Sequence, residues 1–333
     1  MELGGLYETI VKKNVPFFVT LEVTTKCNNK CAHCYNADSR TLPLEVCKKC
    51  IDEAAELGTL FLSLTGGEPL LRKDIWDIIS YATERNFATL LYTNATLIGR
   101  REAARLKESG VYHVDTTLLG SSADTHDRMT GVKGSFSKTM DAIGFLKEEG
   151  ISVAVKTPVM KENAGEIDDL RKMMASMEID HIASPLIFPK DDGGRAPLCH
   201  RPDNEQLKKF FKSCEVKDLT ERQGAYSCHL GRCTLSIRAN GEATPCICVP
   251  FPVGHVAEEP LEDIWTKSER LINIRQKTEE PLPECKDCDL KNWCFRCEGL
   301  AFTEGGKLFG CSEELYRMAK ARKEACYAGK EAR

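Results

Sequence analysis

Between residues 17 and 188, short apolar runs alternate with amphipathic stretches. The runs Phe17–Thr24, Thr59–Leu64, Ala88–Tyr92, Val111–Leu118, Ile151–Thr157 and Asp180–Phe188 are rich in β-branched and aromatic residues, as buried parallel strands are. Between them, apolar residues recur at helical spacing: Ile75, Ile78, Ile79 and Ala82; then Thr139, Ala142, Ile143 and Leu146; then Ile167, Leu170, Met174 and Met177. The two methionines read as core filler. Six such repeats predict a parallel α/β layout with right-handed crossovers. The repeats stop near Pro189, which favours an open, partial (β/α)6 barrel over a closed eight-unit one. Functional groups then belong at the carboxyl ends of the strands.

Beyond residue 188 the pattern changes. Pro189–Arg201 is rich in Gly and Pro and reads as a linker or active-site loop. A helix over roughly Asp203–Ser213 follows. Thr234–Thr244 reads as a β-hairpin turning at Asn240-Gly241, which would bring Cys233 and Cys246 together. A last helix, Ser312 to about Tyr327, has acids first and bases later, in keeping with the helix dipole. The expected division is a lead-in over 1–16, the partial barrel over 17–200, and a linker helix with a small Cys-rich α+β domain over 201–333.

Composition narrows the class. The 333 residues are 42% hydrophobic and 29% charged, which suits a soluble globular protein. A formal net charge of -4 gives no reason to expect nucleic acid or an anionic membrane as partner. No apolar run has transmembrane length, and Met1–Val15 is too polar for a secretory signal, so a cytoplasmic location is expected. The seventeen cysteines are distributed unevenly, five before residue 51 and twelve after residue 198. In a long chain without a signal, such spacing points to metal rather than disulfides.

Cys27-x3-Cys31-x2-Cys34 follows the first strand directly. Three thiolates in eight residues can wrap a cubane cluster and leave its fourth iron open for a ligand. A zinc site is the rival, but structural zinc takes four protein ligands and no fourth lies near. Gly66-Gly67-Glu68-Pro69 follows the second strand, where glycines permit close backbone approach and proline fixes the exit. Read alone it is also an ordinary β–α turn. Cys47 and Cys50 share a helix face and read as two thiols of a helix, one of them buried, with a redox or metal pair as the alternative.

The two stretches in this order resemble the radical SAM superfamily. That resemblance implies S-adenosylmethionine (SAM) chelated at the open iron of one catalytic [4Fe-4S] cluster on Cys27, Cys31 and Cys34. An electron from the cluster would cleave SAM to a 5′-deoxyadenosyl radical, which takes a hydrogen atom from the substrate. By matching positions, His33 and the Tyr35 backbone would meet adenine. Gly66, Gly67, Glu68 and Pro69 would bind the methionine amino group. Asn94 and Thr117 would make further cofactor contacts, with turn-capping and plain strand roles as alternatives, and Leu119 replaces an acid common in relatives. His126-Asp127 with Gly134-Ser135-Phe136 reads as structural, Asp127 holding a helix start that Ser135 or Ser137 caps.

Cys228, Cys233, Gly241-x4-Cys246, Cys285-x2-Cys288-x5-Cys294-x2-Cys297 and Cys311 resemble the SPASM auxiliary-cluster domain, with one departure: two residues rather than three separate Cys294 and Cys297. The resemblance implies two auxiliary [4Fe-4S] clusters, one on Cys228, Cys233, Cys246 and Cys297, the other on Cys285, Cys288, Cys294 and Cys311. Two zinc sites would suit eight thiolates by count. Cys248 is an alternative ligand beside Cys246; Cys199, Cys214 and Cys326 read as free or buried thiols. The implied activity is modification of a peptide or protein, by crosslinking, epimerisation or oxidation. It would draw on a flavodoxin- or ferredoxin-type electron donor, and on either a separate peptide-recognition protein or a short motif in the substrate. Alternatives are modification of a haem-pathway tetrapyrrole side chain, a non-catalytic electron carrier, or a zinc-bound binding module. Arg195, Asp191, Asp192 and Glu298 border the expected cleft or clusters, and surface ion pairing is the bland reading of each.

Overall fold

A computed structural model describes residues 3–214, 230–279 and 282–331. Six parallel strands alternate with helices. The strands are β1 (Phe18–Thr24), β2 (Phe61–Gly66), β3 (Ala88–Thr93), β4 (His113–Thr117), β5 (Ser152–Pro158) and β6 (Asp180–Ser184). The helices of this half are α1 (Leu3–Lys13), α2 (Leu44–Glu56), α3 (Ile75–Glu84), α4 (Arg100–Glu108), α5 (Ala123–Thr130), α6 (Ser135–Glu148) and α7 (Ile167–Ser176). The three predicted apolar stripes face the core on α3, α6 and α7, except that Met177 only ends α7. On β1, Val19, Leu21 and Val23 face the helices and pack with Cys47, Cys50, Ile51 and Ala54 of α2. Both α2 thiols are therefore core residues, where one was expected to be buried.

After α8 (Asn204–Lys212) come β7 (Thr234–Ile237), β8 (Glu242–Thr244) and β9 (Gly254–His255). Then follow α9 (Leu261–Lys267), α10 (Glu269–Glu279), α11 (Pro283–Lys286), α12 (Glu298–Gly305) and α13 (Glu313–Glu331). The β7–β8 hairpin forms with Gly241 at φ +90° in its turn. It does not stand apart: β7 lies parallel to β1, with Val19 opposite Leu235 and Leu21 opposite Ile237. One open sheet results, in the order β6-β5-β4-β3-β2-β1-β7-β8-β9.

Two expectations change. The last predicted strand, Asp180–Phe188, ends at Ser184, because Pro185 has no N–H to continue the ladder. It is also an exposed edge rather than a buried strand, with Ile182 55% exposed. The hairpin does not bring Cys233 and Cys246 together on one face. Cys233 continues the Leu235–Ile237 face toward α1, where its sulfur lies 3.7 Å from the Tyr7 hydroxyl. Cys246 leaves the end of β8 two residues past Thr244, whose face is that of Ser236, opposite to the Leu235–Ile237 face. Among the described residues no helix is long and apolar enough to cross a membrane.

Candidate active site and cluster sites

The loop carrying Cys27, Cys31 and Cys34 is pinned from three sides. Thr24 at the end of β1 donates from Oγ1 to the Arg40 carbonyl at 2.9 Å and accepts Lys26 N–H at 3.2 Å. The buried Arg72 guanidinium donates to the Val23 and Leu42 carbonyls at 2.7 and 2.6 Å, tying the loop's entry to its exit. Lys30 and Ala32 amides donate to Thr130 and Met129 at the end of α5. From β3, Asn94 donates to Asn28 Oδ1 at 2.8 Å.

The three thiols come to one wall of a cavity of about 470 Å³. Burial first, then Cys34 and Cys27, push Cys31 up to about 12. Two N–H donors face the Cys27 sulfur, Asn29 N at 3.4 Å and Asn94 Nδ2 at 3.7 Å. Grouped thiols that raise one another, with N–H groups aimed at sulfur, are a donor set that fits a cluster: deprotonation on binding removes the conflict and the N–H groups stabilise the sulfur charge. The cavity beside them leaves room for a ligand on a fourth metal position.

Gly66 and Gly67 line the same cavity. A Cβ on Gly66 would stand 1.8 Å from the Thr24 carbonyl oxygen, and one on Gly67 would stand 2.3 Å from that of Lys26. These glycines let the end of β2 press against the cysteine loop. Glu68 and Pro69 sit behind the cavity wall. The Glu68 carboxylate is fully buried and accepts from Thr93 Oγ1 at 2.7 Å, Asn94 N at 2.8 Å and Leu70 N at 3.0 Å. Its groups are spent on its own chain, so its structural part is to lock β3 and Asn94 in place.

His33, Tyr35, Asn94 and Thr117 all line the cavity. Burial holds His33 down at about 4, so its ring is neutral and suited to packing on an aromatic base. The Tyr35 carbonyl accepts the Asp191 amide at 3.0 Å. His126 holds the Leu119 amide at 3.1 Å. Asp127 accepts from Gly134 N, Phe136 N and Ser135 Oγ at 2.5, 2.8 and 3.0 Å, and so anchors the start of α6, whose N-cap is Gly134 rather than a serine.

Sequence reasoning missed the far wall: Tyr92, Asp115 and Lys156 on β3, β4 and β5. Lys156 pairs with Asp115 at 2.9 Å and lies 4.2 Å over the Tyr92 ring. The signal was there, polar residues set singly inside apolar runs. The bordering residues are absorbed locally. Asp191 pairs with Arg238 at 2.8 Å, Asp192 accepts Gly194 N at 2.8 Å, and buried Glu298 pairs with Arg296 and accepts Phe309 N at 2.7 Å. Arg195 borders a separate polar cleft with Arg201 and Glu304.

In the C-terminal third, Cys285, Cys288, Cys294 and Cys311 form one group. Burial, then Cys285, Cys311 and Cys288, push Cys294 up to about 12. Cys246, Cys248 and Cys297 form another: the neighbouring Cys246, then burial, raise Cys248, and burial, then Cys246, raise Cys297. Cys233 lies with Tyr7, as above, and Cys228 lies outside the described residues. Cys199 is exposed, Cys214 donates to the Phe210 carbonyl, and Cys326 packs with Leu290 and Trp293. Among the described residues no three His, Cys, Asp or Glu side chains converge tightly enough to hold a single metal ion.

A second cavity, of about 830 Å³, runs along β6. Phe210, Phe211, Phe295 and Met318 form its apolar wall, and its polar groups include Arg171, Asp180, His181 and Ser213. Leu186 lines both this groove and the cysteine cavity.

The model for the radical SAM superfamily matches residues 21–174, and that for the SPASM iron–sulfur cluster-binding domain matches 228–289. The subtilosin biosynthesis protein AlbA of Bacillus subtilis is 31% identical over 310 residues, 85% of this chain and 67% of the relative. The chain belongs to the radical SAM superfamily. As a radical SAM enzyme it uses S-adenosylmethionine and iron–sulfur chemistry. The AdoMet-dependent heme synthase of Methanosarcina barkeri is 26% identical over 353 residues, 95% of this chain and 100% of the relative. Among solved structures, anSMEcpe with bound AdoMet and a Cp18Cys peptide superposes with a TM-score of 0.71, covering 94% of this chain and 97% of that one at 14% identity. This likeness is one of fold.

Proposed function

We propose that this radical SAM enzyme abstracts hydrogen from a peptide or protein substrate, working from one catalytic [4Fe-4S] cluster on Cys27, Cys31 and Cys34 with two auxiliary [4Fe-4S] clusters beyond it. Bound at the free metal corner, SAM would supply the 5′-deoxyadenosyl radical. The chain's own residues do the rest. Gly66 and Gly67 hold the end of β2 against the cysteine loop at the cofactor cavity, His33 offers a neutral ring, and Asn94 and Thr117 border it. The Lys156–Asp115 pair closes the far wall and fixes polar substrate groups. A flavodoxin- or ferredoxin-type donor would supply electrons, and a separate recognition protein would present the substrate.

The observation that carries the peptide reading is the groove along β6. Among the described residues no strand pairs with the outer edge of β6, which offers backbone N–H and C=O groups to an extended chain, and the groove beside it shares Leu186 with the cofactor cavity. The 31% identity to AlbA supports it. A tetrapyrrole is the second reading, favoured by the heme synthase's alignment over its whole length.

Anaerobic reaction with SAM, dithionite and either the precursor peptides encoded nearby or an iron porphyrin bearing propionates, read by mass spectrometry, tests the two. A mass change in a peptide supports the leading reading. Turnover of the porphyrin alone overturns it. The Cys27→Ala/Cys31→Ala/Cys34→Ala variant is expected to lose 5′-deoxyadenosine formation and keep auxiliary iron.

A further inference from the structure

Ligation of the auxiliary cluster nearer the active site follows from strand geometry. Residues 236 and 244, and 237 and 243, face each other across the hairpin. The ladder ends at Ser236 and Thr244, and beyond it the Thr234 hydroxyl donates to the Pro245 carbonyl at 3.0 Å, which keeps the two segments adjacent as they leave the hairpin. Side chains alternate along a strand, and Cys233 projects from the other face than Cys246. The parallel register with β1 fixes which face that is, since Leu235 and Ile237 share the core side with Val19 and Leu21. Cys233 is 1% exposed there, against the Tyr7 hydroxyl.

Cys248 is placed differently. The Val249 amide donates to the Cys246 carbonyl at 2.9 Å, closing a turn that returns Cys248 to the side of Cys246. That turn presses on the start of α12. A Cβ on Gly299, two residues after Cys297, would stand 2.2 Å from the Cys248 carbonyl oxygen and 3.1 Å from its Cβ. Arg238 fixes the turn by donating to the Ile247 carbonyl at 2.7 Å. Cys246, Cys248 and Cys297 thus share one half-buried corner, and Cys248 also lines the cavity that holds Cys27, Cys31 and Cys34.

We propose that Cys248 takes the place of Cys233 as a ligand of the auxiliary cluster held by Cys246 and Cys297, and that Cys233 is a core thiol. The proposal rests on the auxiliary-cluster reading above. Its consequence is positional. A cluster on Cys248 borders the reaction chamber itself, with one thiolate between metal and substrate space, which suits it to accept an electron from a substrate radical.

The test uses the full-length chain carrying Cys27→Ala/Cys31→Ala/Cys34→Ala, reconstituted anaerobically, so that only auxiliary iron is counted. Adding Cys248→Ala is expected to remove about half of that iron, about four atoms per chain, and one of two reduced-cluster EPR signals. Adding Cys233→Ala is expected to leave both unchanged. Loss of a cluster's iron from the Cys233 variant, or full retention in the Cys248 variant, overturns the proposal. Should Cys248→Ala fail to fold, Cys248→Ser decides: an oxygen ligand shifts one EPR signal, whereas an unshifted spectrum overturns the assignment. A parent variant that binds no auxiliary iron at all overturns the cluster reading, and this ligand with it.

Discussion

A Cβ at residue 66 would collide with the Thr24 carbonyl, and the backbone there has φ +151°, which side-chain-bearing residues avoid. Gly66→Ala is expected to cost about 3 kcal/mol or more of stability, seen as a lower urea midpoint, and to abolish SAM binding by equilibrium dialysis. His126 makes a pH prediction. Burial lowers it from 6.5 to about 4, and its Nδ1 must stay unprotonated to accept the Leu119 amide. The unfolded chain takes up the proton first, so the contribution is full above pH 6.5 and falls as pH drops toward 4. By pH 5.5 the loss is about 1.4 kcal/mol. His126→Gln should flatten that part of the stability–pH curve; an unchanged slope would mean the ring is protonated or solvated in the fold.

At the scale of elements, charged side chains bind loops to strand ends. Asp127 satisfies three donors at the start of α6, and Asp127→Ala is expected to cost about 2 kcal/mol, with Asp127→Asn costing less; denaturant midpoints measure both. Arg72 joins the ends of the cysteine loop with two carbonyl contacts and a bidentate pair to Asp74. Lysine lacks that fork, so Arg72→Lys should reconstitute with less catalytic-site iron than the parent. Element by element, the barrel was legible in the sequence because buried strands and one-sided helices write their periods into the chain, as Ile75, Ile78, Ile79 and Ala82 do. The cysteine loop and its glycines were legible because the chemistry is local in sequence. The exposed edge at β6 was not, since Ile182 and Ala183 look like core residues until the sheet order is known. Nor was the face of Cys233, which depends on a one-residue register that composition does not encode.

Across the whole molecule, the addition of β7 to β1 is the feature no local pattern announces. It covers the edge of the strand that delivers the cysteine loop, and α13 lies along α8 with a Lys208–Glu324 pair at 2.9 Å. Barrel and cluster region should therefore unfold together. Tryptophan fluorescence, reporting Trp76 on the barrel side and Trp265 and Trp293 on the other, is expected to give one urea transition that coincides with far-UV circular dichroism; two separated transitions would contradict it.

Shared pairing between β1 and β7 also limits how such enzymes can be recombined. A cassette cut after α8 and grafted onto a foreign scaffold would arrive without the neighbour its first strand was built to lie against, and the donor would keep a raw seam. Shuffling of these halves has to carry the β1 register along with it, so chimaeras should succeed where both partners match at Val19 and Leu21 and precipitate where they do not.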